Sequence, residues 1–87
     1  MEKEIVIKNK SGLHARPAAQ FVTFAKKYPE NIMVFKGDKY APARSLLSIL
    51  GLGISHGDTV RLQVEGDQAA QILSELAEYL EKLAYEE

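Results

Sequence analysis

The chain has 87 residues, 11 of them basic and 12 acidic, with a formal net charge of −1 at pH 7 and no cysteine. This length suits a single domain over residues 1–87. The missing cysteines exclude disulfides, thiolate metal sites and cysteine nucleophiles, and two histidines are too few for a histidine-rich metal site. The balanced charge does not favour nucleic acid as a partner. Because no apolar signal core or membrane-spanning run stands out, we expect a cytoplasmic protein without membrane insertion, metal or cofactor.

The first half of the chain predicts a strand, a helix and two more strands. β-branched residues indicate the first strand at residues 4–8. Apolar residues recur at i, i+3, i+4 and i+7 and predict a helix over residues 15–27. Residues 32–36 and 39–43 are predicted as strands, and Pro42 places the second of them at a sheet edge because proline cannot donate to a ladder.

The second half predicts two helices separated by a strand. Ser45 precedes an apolar run and favours a short helix that it caps, ended by Gly51 and Gly53, although a strand is the competing interpretation. Residues 59–65 alternate apolar and polar side chains, which is typical of a strand with one wet face. A long final helix follows, with Asp67 as its predicted cap. Its apolar stripe consists of Ala69, Ile72, Leu73, Leu76, Leu80 and Leu83.

The predicted order is β-α-β-β-α-β-α, an α+β fold. A right-handed crossover through the first helix makes the first two strands parallel and leaves a gap between them. The fourth strand fills that gap in the antiparallel direction. All helices then cover one face of the sheet and leave the other face open.

A histidine and an arginine lie at the predicted start of the first helix. The free N–H groups of a first helical turn and the helix dipole favour anions, and Pro17 suits that turn because its missing N–H had no intrahelical partner. If His14 accepted a phosphoryl group as a nucleophile, the amides, the dipole and Arg16 would hold the added charge. Gly12 allows the loop a close approach to a ligand or partner, and Ser11 is expected to bond locally. The alternative is that His14 is only an exposed capping residue.

The run Gly-Leu-His-Ala-Arg-Pro-Ala at residues 12–18 resembles, residue for residue, the signature of the HPr family, the histidine-containing phosphocarriers of the bacterial sugar phosphotransferase system. The resemblance implies that His14 is phosphorylated and that Arg16 stabilises the phosphoryl group. Supporting positions of the site are then Ser11, Gly12, Ala15, Pro17 and Ala18. It also implies an open-faced β-sandwich, with a four-stranded sheet covered by three helices on one face.

The resemblance further implies a carrier and not an enzyme. Enzyme I would donate the phosphoryl group, and sugar-specific permease components would accept it. Two alternatives stay open: a paralogue serving a regulatory or nitrogen-related phosphotransferase pathway, and a non-phosphorylated interaction module in which His14 and Arg16 are cap and surface residues. A transient carrier is expected to be a monomer.

Ser45 has two interpretations. By its neighbours it is a helix cap, whereas by resemblance it aligns with the serine that a dedicated kinase phosphorylates in Gram-positive HPr proteins, a mark that a transcriptional regulator reads. The chain has Arg-Ser-Leu-Leu-Ser at residues 44–48 where the Gram-positive form resembles Lys-Ser-Ile-Met-Gly. Leu46, Leu47 and Leu50 cannot all be buried under one short helix, so we expect an exposed apolar patch that docks partner proteins.

Overall fold

The computed structural model describes residues 1–86 and contains seven elements in the predicted order. None of the helices within that range is long and apolar enough to cross a membrane. The elements are β1 (Glu2–Val6), α1 (Ala15–Ala25), β2 (Ile32–Lys36), β3 (Lys39–Pro42), α2 (Leu46–Gly51), β4 (Thr59–Val64) and α3 (Ala69–Tyr85).

The strands form one four-stranded sheet in the order β1-β4-β2-β3. Every neighbouring pair is antiparallel, so β1 and β2, which both flank β4, run parallel to each other. The predicted insertion of the fourth strand between the first and second is therefore confirmed. β3 lies at an edge of the sheet, as the proline at its end requires.

One face of the sheet is buried and forms one side of the hydrophobic core. Val60, Leu62 and Val64 of β4 are buried, and the intervening Arg61 and Gln63 lie on the open face. On that face the Arg61 guanidinium lies 4.3 Å from the centre of the Phe35 ring. The helices cover the buried face, and the predicted stripe of α3 is buried along its full length, as are Ala18, Phe21, Val22 and Ala25 of α1. The alternation in β4 and the two helical stripes are confirmed.

The end of α1 differs from the prediction. The helix ends at Ala25, and Lys26 is its C-cap. The amides of Lys27 and Tyr28 donate to the carbonyls of Phe24 and Ala25, at 3.3 and 3.2 Å, so the chain tightens into i→i+3 bonds. The apolar spacing nevertheless continues to Tyr28, which is why the periodicity overestimates the helix.

The predicted cap of α3 is wrong. Gln68 occupies the N-cap position without a side-chain cap bond, and the helix begins at Ala69. The Ala69 amide donates to the Gly66 carbonyl at 3.2 Å, which closes a turn over Asp67 before the helix starts. Asp67 therefore lies in the turn and not at the cap.

The strand ends also shift. β1 runs over residues 2–6 and not 4–8, because its register with β4 pairs Glu2 with Gln63, and the amide of Val64 donates to the Met1 carbonyl at 2.9 Å. An edge strand tolerates polar residues, so β-branched content did not mark its start. β3 ends at Pro42 and β4 at Val64, one residue earlier than predicted in each case.

The far end of α1 is fastened to α3 by a polar and an aromatic contact. The rings of Phe24 and Tyr79 stack with centroids 4.1 Å apart. The Tyr28 hydroxyl donates to a carboxylate oxygen of Glu75, and the Arg44 guanidinium donates to the Tyr28 carbonyl. Burial, helped by the Glu75 carboxylate, raises the pKa of Tyr28 above its ordinary value, and the Tyr28 hydrogen bond, followed by one from Gln71, lowers the pKa of Glu75.

Candidate functional site

His14 is itself the N-cap residue of α1. Its backbone is extended, at φ −76° and ψ −174°, and its carbonyl accepts the first helical bond from the Ala18 amide at 3.0 Å. Its side chain makes no cap hydrogen bond, and the residue is exposed. The imidazole therefore lies at the helix N-terminus and makes no hydrogen bond to the amides of the first turn.

The first turn of α1, which follows this imidazole, offers free backbone N–H donors and contains no acidic side chain. Its N–H groups have no intrahelical acceptor, and the turn contains no Asp or Glu. Arg16 and Ala15 are exposed, whereas Pro17 and Ala18 are buried and fix the turn against the core. An anion at His14 would meet positive partial charge from the backbone and full charge from Arg16.

His14 and Arg16 line a common surface cavity of about 400 Å³. Ser11 and Pro17 line it too, as the sequence predicts for the flanking positions. The cavity also includes Leu83 of the predicted apolar stripe and three residues that the sequence analysis did not single out, namely Lys10, Gln20 and Glu86. One signal could have found Gln20, because it lies four residues after Arg16 and shares its side of the helix. Lys10 and Glu86 come from a loop and from the end of α3, and only the fold brings them there.

Gly12 holds the loop before His14 against another part of the chain. Its φ is +68°, and a Cβ atom there would lie 2.7 Å from the Ser55 Cα and in contact with the Ile54 carbonyl oxygen. The next amide, that of Leu13, donates to the same Ile54 carbonyl at 3.0 Å. The close approach seen at Gly12 is to another part of the chain, and an approach to a ligand or partner stays a prediction.

Residues 53–58, which we call the platform loop, form a turn that is stabilised by the side chain of Asp58. The Asp58 carboxylate accepts from the Ser55 amide at 2.8 Å, and the Asp58 amide donates to the Ser55 carbonyl at 3.0 Å. The bond from the Ser55 amide, together with Lys36, lowers the pKa of Asp58. His56 in this loop is exposed.

Ser45 is the N-cap of α2. Its hydroxyl oxygen accepts from the Ser48 amide at 3.3 Å, and its O–H donates to the Ser48 hydroxyl at 2.9 Å. The helical interpretation of residues 46–51 and the cap are therefore confirmed. Ser45 is half-buried, so its hydroxyl is partly exposed at the surface.

The three leucines of α2 predicted to lie on the surface are exposed. Leu47 is 82% exposed, Leu46 38% and Leu50 36%, whereas Ile49 and Leu52 are buried. The C-cap of α2 is Leu52, immediately before the platform loop that contacts Gly12 and Leu13. The apolar surface is thus joined through one short loop to the segment that carries His14.

Comparison with known proteins finds relatives over nearly the whole chain. The family model described as "PTS HPr component phosphorylation site" matches residues 1–82. The phosphocarrier protein HPr of Haloferax volcanii is 39% identical over 82 residues, which cover 92% of each chain. The HPr-like protein Crh of Halalkalibacterium halodurans is 35% identical over 82 residues, covering 94% of this chain and 98% of that one. A crystal structure of HPr from Thermoanaerobacter tengcongensis matches with a TM-score of 0.91 at 44% identity, over 100% of this chain and 98% of that one.

Proposed function

The chain belongs to the HPr family of phosphocarrier proteins, and from this premise we propose that His14 carries a phosphoryl group in a sugar phosphotransferase system. The donor is a phosphorylated enzyme I, and the acceptors are sugar-specific permease components. The protein is a substrate of these phosphotransferases and not an enzyme by itself, and it works in the cytoplasm. The observation that carries the proposal is the exposed imidazole at the N-terminus of an 11-residue helix, with no cap bond to occupy it.

The chemistry is a transfer between two nucleophiles. The lone pair of a His14 ring nitrogen attacks the phosphorus of the phosphohistidine on enzyme I, a new N–P bond forms, and the old N–P bond breaks as the donor imidazole leaves with its electron pair. The added negative charge is held by the first-turn amides and by Arg16. In the second transfer the roles are reversed, with His14 as the leaving group and a histidine or cysteine of the permease component as the nucleophile.

The test is phosphoenolpyruvate-dependent labelling by an enzyme I. We expect the wild type to take up label that is lost in acid and retained in base, and His14→Ala to take up none. His56→Ala is the matched control, because it removes the other histidine of the chain, also exposed and in a loop. Absence of label from the wild type with several active enzymes I, or label that survives in His14→Ala, would contradict the proposal.

A second candidate function uses the same chemistry in another pathway. The similarity to Crh of Bacillus subtilis, described as a catabolite repression HPr and 31% identical, favours a regulatory paralogue, whose phosphorylation state we propose to be the output. The rate at which each enzyme I of the host labels the protein discriminates between sugar uptake and a regulatory or nitrogen-related system. The identity of the neighbouring genes is a second, independent test. In the more distant alternative, a non-phosphorylated interaction module, His14→Ala would leave the function unchanged.

Ser45 is the proposed regulatory site. Its half-buried hydroxyl caps a helix whose first turn contains no acidic residue, so a phosphate there is electrostatically tolerated and adds charge beside the leucine surface. A serine kinase then modulates docking, and a transcriptional regulator reads the mark. Incubation with ATP and the serine kinase that acts on Gram-positive HPr proteins tests this, with Ser48→Ala as the control for the neighbouring hydroxyl. Phosphorylation that persists in Ser45→Ala would assign the mark elsewhere.

The proposed docking surface consists of Leu46, Leu47 and Leu50. Because Leu47 is 82% exposed, Leu47→Ser removes little buried area, and we expect weaker binding to enzyme I with unchanged stability. Tyr85→Ser, at a side chain that is 92% exposed at the end of α3, is the matched control. Equal affinities of the two variants for enzyme I would show that Leu47 is not part of the interface.

Sedimentation of the free protein tests the expected monomer.

A further inference from the structure

The platform loop supports the segment that carries His14 from two sides. On one side the Ile7 amide donates to the Asp58 carbonyl at 2.8 Å and the Gly57 amide donates to the Ile7 carbonyl at 2.8 Å. On the other side the Leu13 amide donates to the Ile54 carbonyl at 3.0 Å. Residues 8–12 span the distance between these two attachments. The position of the His14 backbone therefore depends on where the platform loop lies.

Glycines make the platform loop dependent on external restraint. Gly53 and Gly57 have φ values of +61° and +87°, and a Cβ atom at either would meet nothing within 4 Å. Glycine at such positions has more backbone freedom than any other residue. Side chains do not confine these two residues, so any restraint on the ends of the loop adds to the backbone bonds of Gly57 with Ile7 and of Gly53 with Leu50.

One ammonium group holds both ends. The Lys36 Nζ donates to the Gly53 carbonyl at 2.7 Å and lies 3.0 Å from the Asp58 carboxylate. Gly53 is the first residue of the platform loop and Asp58 the last, and Lys36 is the last residue of β2. The loop is thereby tied to the sheet. The two side chains are about one-third exposed, at 32% and 30%, so the bonds are only partly screened by water.

The geometry points to Lys36 and Asp58 as positioning residues for His14. Lys36 holds the ends of the platform loop, the loop holds Leu13 through the Ile54 carbonyl and leaves no room for a side chain at Gly12, and these two residues place the N-cap of α1. The inference rests on the proposed function, since it concerns the rate at which His14 accepts a phosphoryl group. It assigns a role to two residues outside the signature run of residues 12–18.

The expected effect is on the reaction within the complex and not on docking. Lys36→Met keeps the aliphatic stem and removes the ammonium, and Asp58→Asn keeps an acceptor for the Ser55 amide and removes the charge. For both variants we expect amide hydrogen exchange at Leu13 to rise and kcat for phosphoryl transfer from enzyme I to fall, each by about three- to tenfold. KM stays within about twofold of the wild-type value, since the leucine surface is unchanged. Lys36→Arg, which keeps a donor cation, restores most of both quantities.

The matched control is Arg61→Met. It breaks another exposed ion pair of the same sheet, that of Arg61 with Glu2 at 3.4 Å, where the side chains are 40% and 41% exposed, and we expect Leu13 exchange and kcat at wild-type values. A labelled wild type with unchanged kcat in Lys36→Met and Asp58→Asn would overturn this inference alone. A change confined to KM would overturn it as well, because it would place Lys36 in the docking surface. A wild type without label would overturn the proposed function together with the inference.

Discussion

Gly12 is the position at which the site depends on a missing side chain. Its φ of +68° lies in the left-handed region, and the backbone of Ile54 and Ser55 occupies the space that a Cβ atom would need. Both neighbours are main-chain atoms, so the contact cannot be relieved by rotating a side chain. Two separate costs therefore fall on any substitution there, one conformational and one steric.

We predict that Gly12→Ala lowers the free energy of unfolding by about 2–4 kcal/mol, the sum of a left-handed alanine and a backbone clash. Gly37→Ala is the control, because its φ is +60° and a Cβ atom there meets nothing within 4 Å. It should cost about 1–2 kcal/mol from the backbone alone. Urea denaturation of the two variants measures the difference. Equal losses of unfolding free energy in the two variants would show that the platform loop moves aside for the added Cβ atom at no energetic cost.

The sequence predicts the role of Gly12 only in part. Glycine before a helix indicates a special backbone conformation, and the positive φ agrees with that expectation. The identity of the neighbour depends on Ile54, which is more than forty residues away along the chain. For the same reason Lys36 and Asp58 have no local pattern that joins them: each is a single charge beside a turn, and only the pairing of β2 with β4 brings them within 3.0 Å.

At the level of elements, the contact between the end of α1 and α3 depends on a pair of titrating side chains. The pKa of Glu75 is lowered mainly by the Tyr28 hydroxyl, so the folded state prefers the carboxylate. Its contribution to stability is present above the ordinary carboxyl pKa of 4.5 and is lost as the pH falls below it. The pKa of Tyr28 is raised, so the folded state prefers the neutral phenol, and that contribution is lost as the pH rises above 10.0.

We predict that Glu75→Gln destabilises the protein at neutral pH and that the difference from the wild type shrinks as the pH falls below 4.5. The physical reason is that protonation of Glu75 in the wild type removes the same charged acceptor that the substitution removes. Unfolding in urea at a series of pH values measures the difference. Glu78→Gln, which removes an exposed carboxylate of the same helix, is the control. A difference for Glu75→Gln that stays constant with pH would show that the bond to Tyr28 is not charge-assisted.

The ends of elements follow bonds that periodicity does not report. Apolar spacing identified both long helices, yet the first ends at Ala25, where i→i+3 bonds replace α-helical ones. Asp67 has the residue type of a cap but lies inside the turn closed by the Ala69 amide. Ser45, in contrast, was identified correctly because its partner Ser48 lies three residues away and the cap is local.

At the scale of the whole molecule, all the helices and the sheet contribute to one core. Residues from β4, α1, α2 and α3 belong to the same buried cluster. Leu62 and Leu76, from the sheet and the last helix, are both fully buried in it. Removing any one layer would expose the apolar side of the others.

We therefore predict a single cooperative unfolding transition, consistent with the proposed single domain over residues 1–87. Far-ultraviolet circular dichroism follows the helices. Tyrosine fluorescence includes Tyr28 and Tyr79 at the α1–α3 contact beside the exposed Tyr40 and Tyr85, and its change on unfolding should give the same midpoint in urea. A fluorescence midpoint at lower urea than the circular dichroism midpoint would show that the α1–α3 contact opens before the helices unfold.

The chain order and the topology were predictable, because a right-handed crossover and antiparallel neighbours leave few arrangements of four strands. The family resemblance at residues 12–18 and the observed sheet order agree on the same fold. The surroundings of His14 were less predictable. Its cavity is also lined by Lys10 from a loop, Gln20 from α1 and Glu86 from the C-cap of α3. Their convergence depends on how whole elements are placed relative to one another.

Pro17 has a further consequence for the phosphoryl group that the proposed carrier holds. In residues 15–17 it leaves only two backbone donors, those of Ala15 and Arg16, whereas a phosphoryl group presents three peripheral oxygens. The third oxygen is therefore left for a side chain such as Arg16, and we expect a partner that brings a further cation to add to these donors as the transferring group becomes planar. Transfer is thereby favoured inside the complex over loss to water outside it. If His14 carries a phosphoryl group as proposed, we therefore expect its release to depend on both proteins of the complex.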